Sequence, residues 1–266
     1  LDAYALRNNL KTINIKGAYA PSDKGRLDFD IALEKLWLNI LNPYVKSIFT
    51  DLRGIASGKA TLKGTLSKPI LNGKFDLQKT SFTVNYLQTR YSFSDQIEIE
   101  NNNISFNNIK IFDSRGNTAY LNGAIRNRYL RDFYLDMTIN ARDFMSLNTT
   151  YADNKQFYGT AFSTSMVKIT GPPNNLFMDI TATTNKNTSI KIPLSNFGEL
   201  NEYPFINVSF PDSDEDKAEV QPAYQVKSSG IQIRFRLIVT PDAEVQIIID
   251  QQLGELFLLH HVAGKA

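Results

Sequence analysis

Two neighbouring runs decide the fold of this chain: Gly58-Lys59-Ala60-Thr61-Leu62-Lys63-Gly64 and Lys68-Pro69-Ile70-Leu71-Asn72-Gly73-Lys74-Phe75-Asp76-Leu77. Apolar and polar residues alternate through most of both runs, and successive side chains of a β-strand point to opposite faces of its sheet. Glycine and proline lie where the runs meet, as is typical of a turn. The stretch therefore predicts a strand, a glycine turn and a second strand.

The same alternation recurs along most of the chain and is clearest near its end. Five apolar residues there alternate with polar ones, with Ile238 as the exception: Ile231, Ile233, Phe235, Leu237 and Val239. Thr240-Pro241-Asp242-Ala243 follow, and then a second run reaches from Val245 to Asp250. We predict that the two runs form a hairpin with one apolar face and one polar face.

Helix is predicted in one region above all. The residues from Glu34 to Leu52 form the one convincing helical segment, and Pro43 lies inside it. Because proline breaks or kinks a helix, we predict two short pieces. A single helical turn is also predicted at Asp143 to Leu147.

Glycines punctuate the strand pattern. Gly64, Gly123 and Gly171 each close an alternating strand and are followed by turn-forming residues. Their irregular spacing excludes a solenoid of fixed period. It favours a continuous meander whose glycine bends let the sheet curl.

The composition excludes several classes of protein. The chain has 266 residues, enough for one large domain or two small ones, and no cysteine, so disulfides and thiolate sites are excluded. Its 29 basic and 27 acidic residues give a net charge of +2, which is too balanced for a nucleic-acid-binding surface. It contains no run of 18 apolar residues that would span a membrane as a helix. The start at Leu1 favours a piece of a longer protein or a mature form.

Residues suited to catalysis or metal binding are few and poorly placed. His260 and His261 are neighbours, so on a strand they point to opposite faces, and no cysteine is there to complete a zinc site. The acidic run from Asp212 to Asp216 lacks the glycine and the last glutamate of a calcium loop, which favours a solvated loop. Glu98 and Glu100 lie on the polar side of a strand. We therefore predict no catalytic residue, no metal and no cofactor, and expect that the protein is not an enzyme.

Two architectures remain open from the pattern alone. The apolar residues can form the core of a β-sandwich, in which the sheet folds on itself. Alternatively they line an inner face that stays open for an apolar guest. Because strands are many and helical residues few, no second kind of element is there to cover a large sheet.

A series of short motifs points to a known family. In chain order they are Gly54 to Gly58, Leu62 to Gly64, Lys68 to Gly73, Thr83 to Leu87, Asp113 to Asn117, Leu121 to Gly123, Leu147 to Thr149, Phe157 to Ala161, Lys168 to Pro172 and Val239 to Glu244. Each motif is short, but together, in this order and spacing, they resemble the C-terminal region of the TamB family of translocation and assembly module proteins. The resemblance covers roughly Leu27 to Asp250.

This resemblance implies a periplasmic protein of the bacterial cell envelope. An inner-membrane anchor would precede this sequence, and the other end would meet an outer-membrane barrel protein of the BamA type. The implied fold is all-β: a long, curled, mostly antiparallel sheet that forms an apolar-lined trough, β-taco-like. The implied functions are passage of phospholipid across the periplasm and insertion of outer-membrane proteins.

We predict one continuous domain in three parts. Residues 1–53 hold leading strands and the helical segment, residues 54–250 form the curled sheet, and residues 251–266 form a tail. The resemblance implies further glycine-rich amphipathic strands after Asp250, and the tail departs from them. We interpret it as an artificial boundary or a divergent end.

The lining of such a trough is expected on the apolar side of the strands, because a uniform apolar surface lets an acyl chain slide without polar traps. The first predicted lining group is Ile231, Ile233, Phe235, Leu237, Val245, Ile247 and Ile249. The second group is Phe75, Leu77, Ile97, Ile99, Leu135, Met137 and Ile139. The expected partners are phospholipid acyl chains, the barrel protein and nascent outer-membrane proteins, with no nucleic acid.

Three other functions remain open. Strand edges can accept a nascent outer-membrane strand by β-augmentation, which would make the chain a protein-binding scaffold. A carbohydrate-binding β-sandwich would place exposed aromatic residues beside paired carboxylates. A structural spacer is the third alternative.

Overall fold

The structure, a computed structural model, describes residues 2–7, 10–46, 48–155, 157–193, 207–209, 231–250 and 255–259. Strands make up 75% of it. They lie in one large, mostly antiparallel sheet that curls and stays unclosed. The predicted all-β class, with a curled sheet that can serve as a trough, is confirmed.

The described residues form sixteen strands, and most of them follow the alternation of apolar and polar residues. The first eight are β1 (Asp2–Arg7), β2 (Leu10–Ala20), β3 (Arg26–Trp37), β4 (Phe49–Thr65), β5 (Lys68–Val84), β6 (Thr89–Glu100), β7 (Asn103–Phe112) and β8 (Thr118–Arg128). The others are β9 (Arg131–Thr149), β10 (Tyr158–Gly171), β11 (Leu176–Thr184), β12 (Ser189–Pro193), β13 (Asn207–Ser209), β14 (Ile231–Ile238), β15 (Glu244–Asp250) and β16 (Glu255–Leu259).

Strands β1 to β11 form a meander in which each strand pairs antiparallel with the next. The hairpin of β4 and β5 is the strand–turn–strand unit that the sequence predicts, with Leu62 opposite Leu71. Past β11 the pairing becomes partly parallel. β14 pairs with β11 and with β13, and β15 pairs with β12, while β16 returns antiparallel to β15.

The helical segment is confirmed and is shorter than the predicted range. A 3-10 turn (Leu38–Leu41) leads into one turn of helix, α1 (Asn42–Val45). Pro43 lies in the first turn of α1, where its missing N–H has no helical partner to lose, so it begins the second piece. Of the other residues in the predicted range, 34–37 belong to β3 and 49–52 to β4.

The hairpin predicted between Ile231 and Asp250 is wrong, although both runs are strands. β14 and β15 pair in parallel with β11 and β12 and not with each other. The residues between them form a corner, closed by the Ala243 N–H donating to the Thr240 carbonyl at 3.0 Å. The Thr240 N–H also donates to Thr184 Oγ1 at 2.8 Å, which ties this corner to the one after β11. Alternation fixes the face that a side chain occupies and leaves the neighbouring strand undetermined.

A line of β-bulges bends the sheet. In β3, β5, β7 and β9 two residues oppose one residue of the next strand, and one of the two has positive φ: Lys35, Lys79, Asn108 and Asp143. The N–H of each of these residues donates to a side-chain oxygen on the next strand: Ser57 (3.0 Å), Ser94 (2.9 Å), Asn122 (2.8 Å) and Thr164 (3.4 Å). Because a bulge bends its strand and increases the local twist, this line marks where the sheet curls.

Two predictions about bends are corrected by these bulges. The helical turn predicted at Asp143 to Leu147 is wrong, because Asp143 belongs to a bulge and β9 continues to Thr149. Gly123 does not close a strand but lies inside β8, opposite Phe106. A Cβ at Gly123 would overlap the Asp136 carbonyl, so this glycine allows β8 and β9 to approach closely beside the bulge of β7.

The core lies where β6 and β9 meet, although β7 and β8 separate them in the sheet order. Tyr91 of β6 stacks on Phe144 of β9 with ring centroids 4.9 Å apart. Ile109 and Ile111 of β7 are buried beside them. Packing of side chains across the curl therefore holds this rim of the sheet together. The division into three parts stays a prediction.

Candidate functional site

The strand register places most predicted lining residues on one side of the sheet. Residues that pair across neighbouring strands carry their side chains on the same face. Three series of pairs trace that face across the sheet: Phe75–Ile97, Ile99–Ile104–Ile125–Leu135 and Ile139–Val167–Ile180–Phe235. Leu77, Met137, Ile233 and Leu237 lie two residues from members of these series and share their face. We name this surface the apolar face.

The far end of the chain joins the apolar face through β12. Gly159 of β10 pairs with Ile190, which pairs with Val245. Ile247 pairs with Ile192, two residues further along the same strands. Ile231 and Ile249 belong to β14 and β15, but their side chains lie outside the described part of the structure.

The apolar face extends beyond the residues singled out from the sequence. In β2 to β5 the register adds Ile13, Ile15, Leu27, Phe29, Ile31, Leu33, Leu62 and Leu71. In β7 to β11 it adds Ile104, Phe106, Leu121, Ile125, Val167, Ile169, Met178 and Ile180. Their alternation was the available signal, but only the pairing of strands places them on the face of the predicted group.

Exposure divides the apolar face into covered and accessible parts. Ile97 and Val245 are each 8% exposed and belong to the packed interior, whereas Ile233 is 37% exposed. The other predicted members with described side chains are half-buried. Buried residues hold the sheet together, and half-buried ones keep apolar surface that a guest can cover.

The opposite face carries charged residues. Lys74 Nζ and Glu98 Oε1 lie 2.8 Å apart across β5 and β6, and the hydrogen bond to Glu98 raises the pKa of Lys74. Arg126 and Asp136 form a second pair, 3.1 Å apart, across β8 and β9. Such exposed pairs add little to stability, but they identify this face as the one that meets water.

Polar residues interrupt the apolar face at a few positions. Asp95 pairs with Leu77, and Ser165 pairs with Ala141, so both lie on this face. The Asp95 carboxylate accepts the Gln96 N–H at 2.8 Å. The apolar face is therefore largely uniform, with isolated polar positions near the line of bulges.

A buried carboxylate fastens the rim where β6 and β9 meet. Asp113 is 5% exposed and accepts four hydrogen bonds: from the Met145 N–H at 2.9 Å, the Arg115 N–H at 2.8 Å, the Asn117 N–H at 2.9 Å and Asn117 Nδ2 at 3.1 Å. Burial acts to raise the pKa of Asp113, but these hydrogen bonds outweigh it and hold the pKa below its usual value. The ionised carboxylate thus ties the β7–β8 turn to β9.

Tyr91 bonds the backbone of the same residue, Met145. Its hydroxyl donates to the Met145 carbonyl at 2.9 Å. Burial raises the pKa of Tyr91 to about 12, and the charge of Asp113 acts in the same direction. The side chain therefore stays neutral at physiological pH and joins two strands that are not neighbours.

The structure tests only part of what the sequence analysis considered as reactive groups. Among the described residues no group of three or more His, Cys, Asp and Glu could hold a metal ion. His260, His261 and the run from Asp212 to Asp216 lie outside the described residues. The absence of catalytic, metal-binding and cofactor-binding roles therefore stays a prediction from the sequence.

Within the described residues, no helix has both the length and the apolar character needed to cross a membrane.

Residues 102–264 match the family model described as the TamB C-terminal domain, which is more than half of the chain. No curated protein and no solved structure matches the chain. The match starts later than the sequence resemblance and extends through most of the tail.

Proposed function

The chain belongs to the TamB family of cell-envelope assembly proteins, and from this premise we propose that its apolar face accepts the acyl chains of phospholipids and conducts them along the sheet. The family is one of non-enzymatic assembly and transport proteins, and its C-terminal domain is a periplasmic region. We place the chain in the periplasm as part of a protein with an inner-membrane anchor. The observation that carries the proposal is the continuous, half-buried apolar face from β2 to β15.

The proposal rests on the cost of exposing hydrocarbon to water. Moving an acyl chain into water costs about 0.8 kcal/mol for each methylene, so a chain of about 14 methylenes faces roughly 11 kcal/mol. Such a barrier slows transfer by about eight orders of magnitude. A face of Ile, Leu, Val, Met and Phe covers the chain while it moves, and its few polar positions leave few places where a lipid would stick.

In this proposal the burial of the fourteen predicted lining residues decides their roles. Half-buried members such as Phe75, Met137 and Phe235 contact the guest. Ile97 and Val245 are buried, so they support the face from within. Ile231 and Ile249 remain proposed lining residues on the basis of their place in the alternation.

Two adjacent residues on opposite faces of β9 test the proposal. Met137 lies on the apolar face and Thr138 on the charged one. We expect Met137→Glu to lower the phospholipid that co-purifies with the chain, measured by extraction and native mass spectrometry, because a carboxylate on the guest surface is costly to desolvate. Thr138→Glu adds the same charge to the other face and serves as the control. Equal lipid content in both variants, with unchanged circular dichroism, would refute the proposal.

A second proposed function is to receive strands of nascent outer-membrane proteins, acting with a barrel protein of the BamA type. It is supported by strand edges that are open within the described residues: β1 pairs on one side only, and residues 231–235 of β14 pair only with β11. Open edges accept added strands through main-chain hydrogen bonds.

The absence of cysteine makes the edge proposal directly testable. A single cysteine at Ala3 of β1 or Gln232 of β14 is expected to form a disulfide with a cysteine-bearing outer-membrane strand peptide. Thr138→Cys, in an interior strand, is the control. Crosslinking at Thr138→Cys as strong as at the edges would exclude strand addition.

A further inference from the structure

The turns at one end of the strands form a surface separate from the apolar face. We define the hairpin rim as residues 20–26, 65–68, 100–103 and 126–132, which join β2 to β3, β4 to β5, β6 to β7 and β8 to β9. The Leu66 N–H donates to the Gly25 carbonyl at 3.1 Å, and Asn127 Nδ2 donates to the Asn102 carbonyl at 2.6 Å. Lys68 Nζ lies 6.0 Å from the centre of the Tyr129 ring. These contacts make the hairpin rim continuous.

Two turns of the hairpin rim share a backbone shape and differ in sequence. Asn101 and Asn102 have φ of 49° and 72°, and Tyr129 and Leu130 have φ of 55° and 60°. Each pair bridges two antiparallel strands as a two-residue turn. Asparagine and glycine adopt positive φ readily, whereas a large side chain does so at a cost. The β8–β9 turn therefore keeps Tyr and Leu where the fold alone favours Asn and Gly.

Two large apolar side chains of the hairpin rim and one at its border are exposed to solvent, and Tyr129 is half-buried. Leu66 is 58% exposed and Leu130 38%. Tyr19, at the end of β2, is also exposed, and it flanks Gly25 together with Leu66. Leu66 and Leu130 lie at two of the four hairpin tips and outside the buried core cluster, and grouped exposure of this kind marks a contact surface.

The hairpin rim is also basic. It contains six Lys and Arg residues against three Asp and Glu residues. Three of the six form exposed ion pairs, which neutralise their charges only weakly: Arg26 with Asp23 (3.5 Å), Arg126 with Asp136 (3.1 Å) and Arg128 with Asp132 (3.5 Å). Within the described residues, Lys24, Lys68 and Arg131 have no ion-pair partner. Positive charge therefore flanks the apolar tips.

We propose that the hairpin rim docks on the surface of a bilayer that contains anionic phospholipid. Leu66, Tyr129 and Leu130 enter the interfacial layer, where tyrosine suits the boundary between headgroups and hydrocarbon. Lys68 and Arg131 meet the phosphate groups with their charged ends, while their aliphatic stems lie along the apolar tips. This contact places the hairpin end of the strands against a membrane, and it does not require a lipid on the apolar face.

Vesicle flotation tests the docking. The 266-residue chain is mixed with vesicles of phosphatidylcholine, or of phosphatidylcholine and phosphatidylglycerol in equal parts. We expect binding to the anionic vesicles that weakens as salt is added. The double variant Tyr129→Asn with Leu130→Gly has the preferred residues for its turn, so it keeps the fold, and we expect it to bind on the order of tenfold more weakly.

Two matched controls separate the hairpin rim from other surfaces. Tyr44, 83% exposed in α1 at the opposite end of the strands, is changed to Ser. Charge reversal of Lys68 and Arg131 to Glu is compared with the same change at Lys59 and Lys168 on the charged face. Equal binding to neutral vesicles, or losses in the controls as large as those from the hairpin rim, would overturn the docking.

A soluble short-chain phosphatidylcholine, which is neutral and is added below its micelle concentration, reports on the apolar face alone. A chain that binds this lipid but no vesicles overturns the docking and leaves the proposed lipid function standing. A chain that floats with anionic vesicles but never binds the short-chain lipid overturns the proposed lipid function and supports the docking.

Discussion

Tyr91 joins β6 and β9, which are not neighbours in the sheet, through its hydroxyl. The ionisation of this hydroxyl therefore tests the contact between the two strands. Its hydroxyl is bonded to the Met145 carbonyl, and burial raises its pKa to about 12. An unfolded tyrosine ionises near pH 10, so between about pH 10 and 12 the folded state holds a proton that the unfolded state has lost, and stability falls as pH rises. As pH rises through this range, ionisation of Tyr91 lowers the free energy of unfolding, and we expect Tyr91→Phe to make that decrease smaller by roughly 2–3 kcal/mol. Urea unfolding of the unchanged chain and of the variant between about pH 10 and 12 measures this difference. If the free energy of unfolding of both proteins falls equally with pH, the expectation is wrong.

Asp113 gives the opposite dependence on pH. Its hydrogen bonds hold its pKa below the usual value, so its stabilisation is present above about pH 4 and is lost as pH falls through the lowered pKa. We expect Asp113→Ala to lower the free energy of unfolding at neutral pH by about 2–3 kcal/mol, because the buried Met145 N–H loses its acceptor. Asp28→Ala, on the charged face, is the control. A deficit that persists unchanged in strong acid would mean that the carboxylate charge is not the cause.

At the scale of the strand, the bulges decide where the sheet bends. Lys79 adopts positive φ in the bulge of β5, while its neighbour Gln78 does not. We expect Lys79→Gly to stabilise the chain by roughly 0.5–1 kcal/mol, since glycine has no Cβ to strain there. Gln78→Gly is expected to destabilise it by a similar amount through the entropy of the unfolded chain. Thermal and urea unfolding measure both, and effects of the same sign would refute this account.

Strands themselves were predictable from the sequence, because alternation of apolar and polar residues is a local signal. Their bends and partners were not. Lys79 has no side-chain property that indicates a bulge, and the hydroxyl that accepts its N–H belongs to Ser94 on the next strand. The error over β14 and β15 has the same origin: their corner is held by Thr184, more than fifty residues earlier in the chain. The alternation within one strand carries no information about which distant strand it pairs with.

At the scale of the molecule, the recurring alternation predicts a large apolar surface, and the family resemblance predicts how the sheet shapes it. Phe75, Leu135 and Phe235 were recognised by polarity alone, and the register places all three on one face. Ile97 is buried in the core cluster that holds Tyr91 and Phe144, which stack on each other although their strands are not neighbours. The exposure of a lining residue therefore depends on how the sheet curls, and the residue pattern of a single strand does not indicate the curl.

A conduit across the strands makes a prediction that a set of separate binding sites does not. Phe75 on β5 and Phe235 on β14 lie far apart on the apolar face, so a lipid that travels along the sheet passes both in series. We expect Phe75→Asp and Phe235→Asp each to slow transfer of fluorescent phospholipid between vesicles, and the double variant to be little slower than the more impaired single variant. The number of bound lipids should instead fall additively, because each substitution removes its own contact area. Transfer rates that also fall additively would mean independent sites and no continuous path.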